Sequence, residues 1–258
     1  MFRARLDKFA VSKPINMLSI IVAAYNEART IELCLRNLKV VLDTVQIPFE
    51  IIVVESNSTD DTRKILLRIS EELGLSIHLQ DKPEGKGSAI RRGLKPMSGD
   101  VFLIFDADTE YDPWDIPKLL SPIENGLTSF VLGTRHEKGR PMRSMDGLSI
   151  RPKIMNLAHI FFTGLVNAFF QVRLTDPFTM YKIIRVEVFS SVPLVSNRFD
   201  FDWELIAKGI RRGSYPLEIP VSYKSRSFSE GKKVRFVRDP ISWVVAVIRF
   251  RFCKLGFN

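Results

Sequence analysis

LSIIVAAYNEARTIELCLRNLKVVLDTVQIPFEIIVVE, residues 18–55, carries the pattern that decides the fold. It opens on the apolar run LSIIVAA (18–24) and closes on EIIVVE (50–55), both rich in β-branched residues. Between them Ile31, Cys34, Leu35, Leu38, Val41 and Leu42 recur at helical spacing, which predicts a helix from about Thr30 with one buried face. Strand, helix, strand, with the strands apolar on both sides, is the mark of a parallel sheet covered by helices on each face. The alternation continues downstream. A helix is expected from about Thr59 to Leu73, a short strand SIHLQ at 76–80, a helix opening near Gly87, and strands VFLIFD at 101–106 and SFVLG at 129–133. The expected fold is α/β, a doubly wound, mostly parallel sheet flanked by helices, with a basic C-terminal extension.

Such sheets bind ligands beyond the carboxyl ends of their strands. The residues there are Tyr25, Asn26 and Glu27 after the first strand, Glu55 to Asp61 after the second, and Asp106 to Asp112 after the fourth. The sharpest of these turns is Asp106-Ala107-Asp108, followed by Thr109-Glu110-Tyr111-Asp112. Carboxylates gathered at a strand end repel one another unless a cation lies between them, and a hard divalent ion, Mg²⁺ or Mn²⁺, suits oxygen donors. Mg²⁺ takes one or two carboxylates together with substrate phosphates, so this turn is expected to meet a diphosphate.

Two nucleotide signatures are missing: no G-x-x-x-x-G-K-[ST] loop occurs, and no G-x-G-x-x-G follows the first strand. These absences argue against an ATPase or a nicotinamide dehydrogenase. Gly85-Lys86-Gly87 has two readings, a helix start offering N–H groups to an anion or glycines that let a helix pack tightly on the sheet.

The second half is less regular. Arg135 to Pro152 reads as a long loop suited to a lid or binding segment, and Ile154 to Val172 as a helix carrying Phe161, Phe162, Phe169 and Phe170 with Arg151, Lys153 and Arg173 at its ends. That helix fits either a membrane interface or an internal core. A strand MYKII (180–184), a helix FDFDWELIAKGIRRG (199–213), a strand LEIPVSYKSR (217–226) and the basic end EGKKVRFVRDPISWVVAVIRFRF (230–252) follow.

With 258 residues, 45% hydrophobic and 26% charged, the chain has the apolar mass for one large domain and excludes disorder, collagen and coiled coil. The expected division is a basic N-terminal segment (1–17), a catalytic domain (18–237) and a basic amphipathic tail (238–258). Net charge is +9, and it sits at the ends: from Leu205 onward twelve Lys and Arg stand against three Asp and Glu, whereas the middle is slightly acidic. A basic end suits phosphate, a membrane surface or nucleic acid. Lys and Arg there are not interleaved with a helix-turn-helix, RNA-recognition or zinc pattern, so nucleic acid is not an expected partner. Cys34 and Cys253 lie far apart, MFRARLDKFAVSKP holds no apolar run of a signal peptide, and no stretch is clean and long enough to span a bilayer. A cytoplasmic protein, at most peripherally associated with the membrane, is the expectation.

Taken together, SIIVAAYNEARTIELCL, IIVVESNSTDDT, KPEGKGSAIRRGL, GDVFLIFDADTEYDP and VLGTR resemble, in order and spacing, the family-two glycosyltransferases, whose catalytic domain has the GT-A fold. LTDPFTMYK, FDFDWELIAKGIRRG and IPVSYKSRSFSEGKKVRFVRD resemble the dolichol- or polyprenyl-phosphate mannose and glucose synthase branch. The likeness runs from about Leu18 to Trp243.

The resemblance implies roles. Tyr25, Asn26 and Glu27 match the turn that holds the nucleobase, and Glu55 an acidic position at the base or ribose. Asp106 and Asp108, with Ala107 between them, match the DxD motif; Asp108 is the principal metal ligand and Glu110 a second. Arg135 matches an arginine near sugar and phosphate, Asp176 an acidic residue near the reaction centre, and Arg226, Lys232 and Lys233 a basic group that clamps phosphates. Glu204 is a further candidate on the sugar side. Ala23, Glu55 and Met180 depart from the family's proline, aspartate and glycine, and the transmembrane hairpin of some branch members is not matched.

The implied activity is an inverting, metal-dependent transfer of a hexose from a GDP- or UDP-linked sugar to a polyprenyl phosphate at an anionic membrane surface. One rival is a soluble family-two enzyme acting on a carbohydrate hydroxyl in capsule, wall or lipopolysaccharide assembly, which would need a carboxylate base. A more distant rival is a nucleotidyltransferase, whose glycine-rich N-terminal signature AAYNEART does not provide.

Overall fold

The computed structural model describes residues 7–136, 150–225 and 238–255, with no account of the side chains at 150–155 and 238–242. Seven strands form one sheet: β1 (Leu18–Ala24), β2 (Phe49–Glu55), β3 (Leu75–Leu79), β4 (Val101–Asp106), β5 (Phe130–Thr134), β6 (Lys182–Arg185) and β7 (Leu217–Pro220). Their order is β3-β2-β1-β4-β6-β5-β7. Four of the six pairings are parallel, and β6 alone runs antiparallel to both its neighbours. The mostly parallel sheet is therefore as expected. The strand order places a switch point between β1 and β4, because the chain winds outward through β2 and β3 and then returns to the other side of β1.

The helices are α1 (Ile31–Leu42), α2 (Thr62–Leu73), α3 (Lys86–Gly93), α4 (Ile116–Glu124), α5 (Ile150–Phe170), α6 (Phe201–Arg212) and α7 (Arg238–Phe252). The face of α1 legible in the sequence, Ile31, Cys34, Leu35, Leu38, Val41 and Leu42, is the buried one. Helix α2 starts three residues later than expected: Asp60 accepts the Thr62 N–H at 3.0 Å, and Ser58 and Asp60 also accept the N–H groups of Asn26 and Ala28 beyond β1. Helix α5 ends at Phe170, where Gln171 takes a positive φ of 53°. Strand β7 stops at Pro220, well short of Arg226; beyond it, among the described residues, the Val221 N–H donates to the Thr134 carbonyl and Tyr223 forms an isolated bridge with Tyr111.

Glycines at the start of α3 serve close approach. A Cβ on Gly87 would lie 2.7 Å from the Ser196 carbonyl oxygen, and one on Gly85, at φ +103°, 2.4 Å from that of Asn197. The close approach is to the connection at Ser196–Arg198 and to Phe201 of α6, not to the sheet as expected.

Helices α5, α6 and α7 form a second layer held by aromatic rings. Phe178 meets Trp203 at 4.6 Å and Trp243 at 5.3 Å, and Phe162 meets Trp243 at 5.4 Å, between ring centroids. Phe162, Val166 and Phe170 are buried, as are Ala246, Val247 and Phe250 of α7. Arg211 of α6 donates to the carbonyls of Phe250 and Cys253 at 2.7 and 2.6 Å, fastening the end of α7. The core reading of the Phe-rich helix holds for this face; on another face Leu157, Ile160 and Phe161 are 68, 65 and 61% exposed.

Candidate active site

Three turns at the carboxyl ends of β1, β2 and β4 are stitched into one surface. In the β1–β2 and β1–β4 registers Ala24 pairs with Glu55 and Ala23 with Asp106, so the turns begin level with one another. Asn26, at φ 51°, donates its N–H to Ser58 Oγ at 2.9 Å and accepts the Thr59 N–H at 2.8 Å. The Glu27 N–H donates to Thr62 Oγ1 at 2.8 Å, and Thr30 Oγ1 donates to the Ala107 carbonyl at 3.2 Å. Beneath, the Cys34 thiol lies 3.3 and 3.0 Å from the carbonyl oxygens of Asp106 and Asp108. These bonds set Tyr25, Asn26 and Glu27 beside Asp106 and Ala107.

Glu55 is fully buried. One of its oxygens accepts the Ser58 N–H at 2.6 Å, and the other pairs with Arg63 Nε at 2.5 Å. It shapes the second turn from within, and the longer glutamate chain lets it reach Arg63, whose other nitrogen donates to the Gln80 carbonyl at 3.0 Å.

Asp106 and Asp108 point to different surroundings. Asp106 is ion-paired with Lys86 at the start of α3. Burial works against the Lys86 ammonium, but Asp106 and Asp202 outweigh it and hold it charged. Asp108 Oδ1 accepts the Glu110 N–H at 3.0 Å. Glu110 accepts the Tyr223 hydroxyl at 3.0 Å, which ties the turn after β4 to the chain beyond β7. Asp108 and Glu110 share a wall of a cavity of about 420 Å³ with Asn37, Tyr111, Tyr223 and Lys224. Tyr25, Asn26, Glu27 and Glu55, expected at the nucleobase, are not among its lining. Asp108 and Glu110 offer only hard carboxylate oxygens, a set that fits Mg²⁺ or Mn²⁺ with room left for phosphate. Among the described residues no group of three or more His, Cys, Asp or Glu gathers into an all-protein cage.

Asp176 and Arg135 form the buried centre of the second half. Arg135 Nε and Nη2 donate to the two Asp176 oxygens at 2.7 Å each, and its own N–H adds a third bond at 2.9 Å. Burial opposes both charges, yet each outweighs it for the other: Asp176 is held well below the ordinary carboxylate range and Arg135 above its usual value. The Arg135 guanidinium lies 5.1 Å from the Tyr223 ring centroid, and Tyr223 in turn meets Tyr111 at 5.2 Å. Nearby, His159 is buried, and desolvation lowers its pKa to about 4, so the ring is neutral near pH 7.

Other acidic candidates are turned inward. Glu204 is fully buried, accepts the N–H groups of Val195 and Ser196, and pairs with Lys208, so it secures that connection from inside. Asp202 pairs with Lys182 at 2.7 Å. Arg226, Lys232 and Lys233, and most of the expected lid, lie outside the described residues. Residues the motifs did not single out for the site are Lys86, Tyr223, His159 and Glu218. Each is brought to it by tertiary contacts, and only Lys86, inside the glycine pair, had a local signal.

A profile described as glycosyl transferase family 2 matches residues 19–192, which includes all three stitched turns, Arg135 and Asp176. The chain belongs to glycosyl transferase family 2. Among its relatives, a dolichol-phosphate mannosyltransferase of Pyrococcus furiosus is 30% identical over 215 residues, covering 83% of this chain and 58% of that protein. The glycosyltransferase AglD of Haloferax volcanii is 28% identical over 239 residues, covering 90% of this chain and 36% of that protein. The chain thus spans about half or less of the length of these relatives. Its fold is shared with glucosyl-3-phosphoglycerate synthase from Mycobacterium tuberculosis, solved with Mn²⁺, UDP and phosphoglyceric acid. The TM-score is 0.67 at 19% identity, over 93% of this chain and 80% of that one. The family-two transferase described here therefore has the GT-A architecture, and the branch suggested by its second-half motifs is represented among its relatives.

Proposed function

We propose that this family-two glycosyltransferase moves a hexose from a nucleotide diphosphate sugar to the phosphate of a polyprenyl lipid, with inversion at the anomeric carbon. The observation that supports a phosphate acceptor is the state of Asp176. Both its oxygens are taken by Arg135 and its proton affinity is far below that of a general base, so it is unsuited to deprotonating a sugar hydroxyl. A phosphate monoester, with a second pKa of about 6, is already ionised at neutral pH and attacks without one.

In this reading a lipid phosphate oxygen bonds to the anomeric carbon from the face opposite the bond that breaks, and the nucleoside diphosphate leaves with the electron pair. Tyr25, Asn26 and Glu27 receive the nucleoside, with Glu55 acting through its turn and Arg63. Asp106 orients Lys86, and Lys86 and Arg135 stabilise charge growing on the diphosphate. Arg226 and Lys232 are assigned to the same task. Asp108, with Glu110, would hold a divalent cation, which when bound supplies charge neutralisation to the diphosphate.

Exposed apolar side chains support the choice of a lipid over a soluble phosphate. Leu157, Ile160 and Phe161 on α5, and Val245, Ile248 and Phe252 on α7, are exposed, with Arg249, Arg251 and Lys254 beside the latter. Apolar insertion together with basic residues, at about 1 kcal/mol per Lys or Arg near an anionic surface, would hold the site over the membrane. No helix among the described residues is long and apolar enough to cross a membrane.

The test is a panel of labelled GDP- and UDP-sugars offered with polyprenyl phosphate or with free carbohydrate acceptors, in the presence of Mg²⁺ or Mn²⁺. Label is expected in the organic phase with polyprenyl phosphate. Label only in a water-soluble glycan would overturn the lipid reading.

A further inference from the structure

No ladder holds Asp176 in place, since residues 171–181 between α5 and β6 form no helix or strand. Side chains do that work. Glu218, the second residue of β7, accepts the Thr175 N–H at 2.9 and 2.8 Å, the Asp176 N–H at 2.7 Å and the Thr175 hydroxyl at 2.9 Å. An ionised carboxylate only accepts, which fixes the direction of the chain behind it. Thr175 Oγ1 donates to Glu218, Thr134 Oγ1 donates to Thr175 at 3.0 Å, and the His136 N–H donates to Thr134 at 3.2 Å. On the other side His159 Nε2 donates to the Thr175 carbonyl at 3.0 Å.

We propose that Glu218 is a positioning residue. By gripping two successive backbone N–H groups it sets the place and angle at which Asp176 meets Arg135, and through that pair the direction in which the guanidinium faces the departing diphosphate. The role given to Arg135 rests on the function proposed above; the grip on Asp176 does not. A carboxylate is required because four donor contacts converge on it. Glutamine would offer one acceptor oxygen and turn an NH₂ toward an N–H, and aspartate is one methylene shorter. Edge strand β7 is thereby coupled to a site it does not line.

The test uses the full chain labelled with ¹⁵N-arginine. The Arg135 Nε–H resonance, assigned by its loss in Arg135→Lys, is expected to exchange slowly with solvent. In Glu218→Gln it is expected to exchange at least about tenfold faster while the backbone amide spectrum stays folded, and in Thr175→Val, which keeps the carboxylate and both backbone donors, about threefold faster. With nucleotide sugar, kcat of Glu218→Gln is expected to fall roughly tenfold at unchanged KM, and to fall less than about twofold further when added to Asp176→Asn. An unaltered Arg135 resonance in folded Glu218→Gln, or losses that multiply in the double variant, would overturn the proposal. If Glu218→Gln does not fold, the Thr175→Val resonance decides. The resonance needs no acceptor, so failure of the wild type on polyprenyl phosphate would sink the acceptor reading alone.

Discussion

Arg135 and Asp176 meet in a two-point ion pair, with side chains only 7 and 0% exposed. Removing one partner of such a pair strands the other charge in a poorly solvated place. Asp176→Asn is expected to lower unfolding stability by about 3 kcal/mol in urea titrations and turnover by roughly 100-fold. Wild-type kcat/KM is expected to show no ionisation from Asp176 between about pH 5 and about pH 8. A limb there that vanishes in Asp176→Asn would make this residue a base and favour a hydroxyl acceptor.

Asp106 and Asp108 are expected to separate in their response to metal. Asp108→Asn should weaken Mn²⁺ binding at least about tenfold by calorimetry and reduce turnover by roughly 100-fold. Asp106→Asn, whose wild-type carboxylate faces Lys86, should leave Mn²⁺ affinity within about threefold and weaken nucleotide-sugar binding instead. Equal loss of Mn²⁺ affinity in both variants would contradict this division.

His159 makes stability depend on pH. Its folded pKa of about 4 lies below the ordinary 6.5, so the unfolded chain binds more protons between these values. Stability from the neutral ring is full above pH 6.5 and is lost as pH falls toward 4, about 3 kcal/mol in all. Asp176, also depressed, acts in the same direction at lower pH, and Glu218, raised chiefly by burial, acts in the opposite one. Thermal melting across this range should show a smaller slope in His159→Gln, whose amide still has a donor for the Thr175 carbonyl. An unchanged slope would place the titration elsewhere.

The exposed stripe of α5 is separable from the fold. Ile160→Glu combined with Phe161→Glu changes two outward side chains and is expected to leave the melting temperature within about 2 °C. Sedimentation with vesicles containing phosphatidylserine should fall at least about tenfold at low salt. Undiminished sedimentation would remove α5 from the membrane contact.

The first half of the fold was legible because its strands are apolar on both faces and its helices on one. LSIIVAA, EIIVVE and VFLIFD could be little else, and the turns that follow them sit at the predicted sheet edge. The DxD pair was visible for the same reason, whereas Arg135 stood out only through the family resemblance of VLGTR. Glu218 and His159 were not, for each acts on a peptide group far away in sequence, Glu218 43 residues from Thr175. Glu55 and Glu204 show the converse. A carboxylate in a suggestive motif is indistinguishable in sequence from one that accepts internal N–H groups, and only burial with named donors tells them apart.

Helix α5 carries two neighbouring residues with unlike duties: Phe161 looks outward, while His159, two positions earlier, holds the carbonyl beside Asp176. One turn of α5 thus belongs at once to the outer face of the protein and to the wall of its buried ion pair.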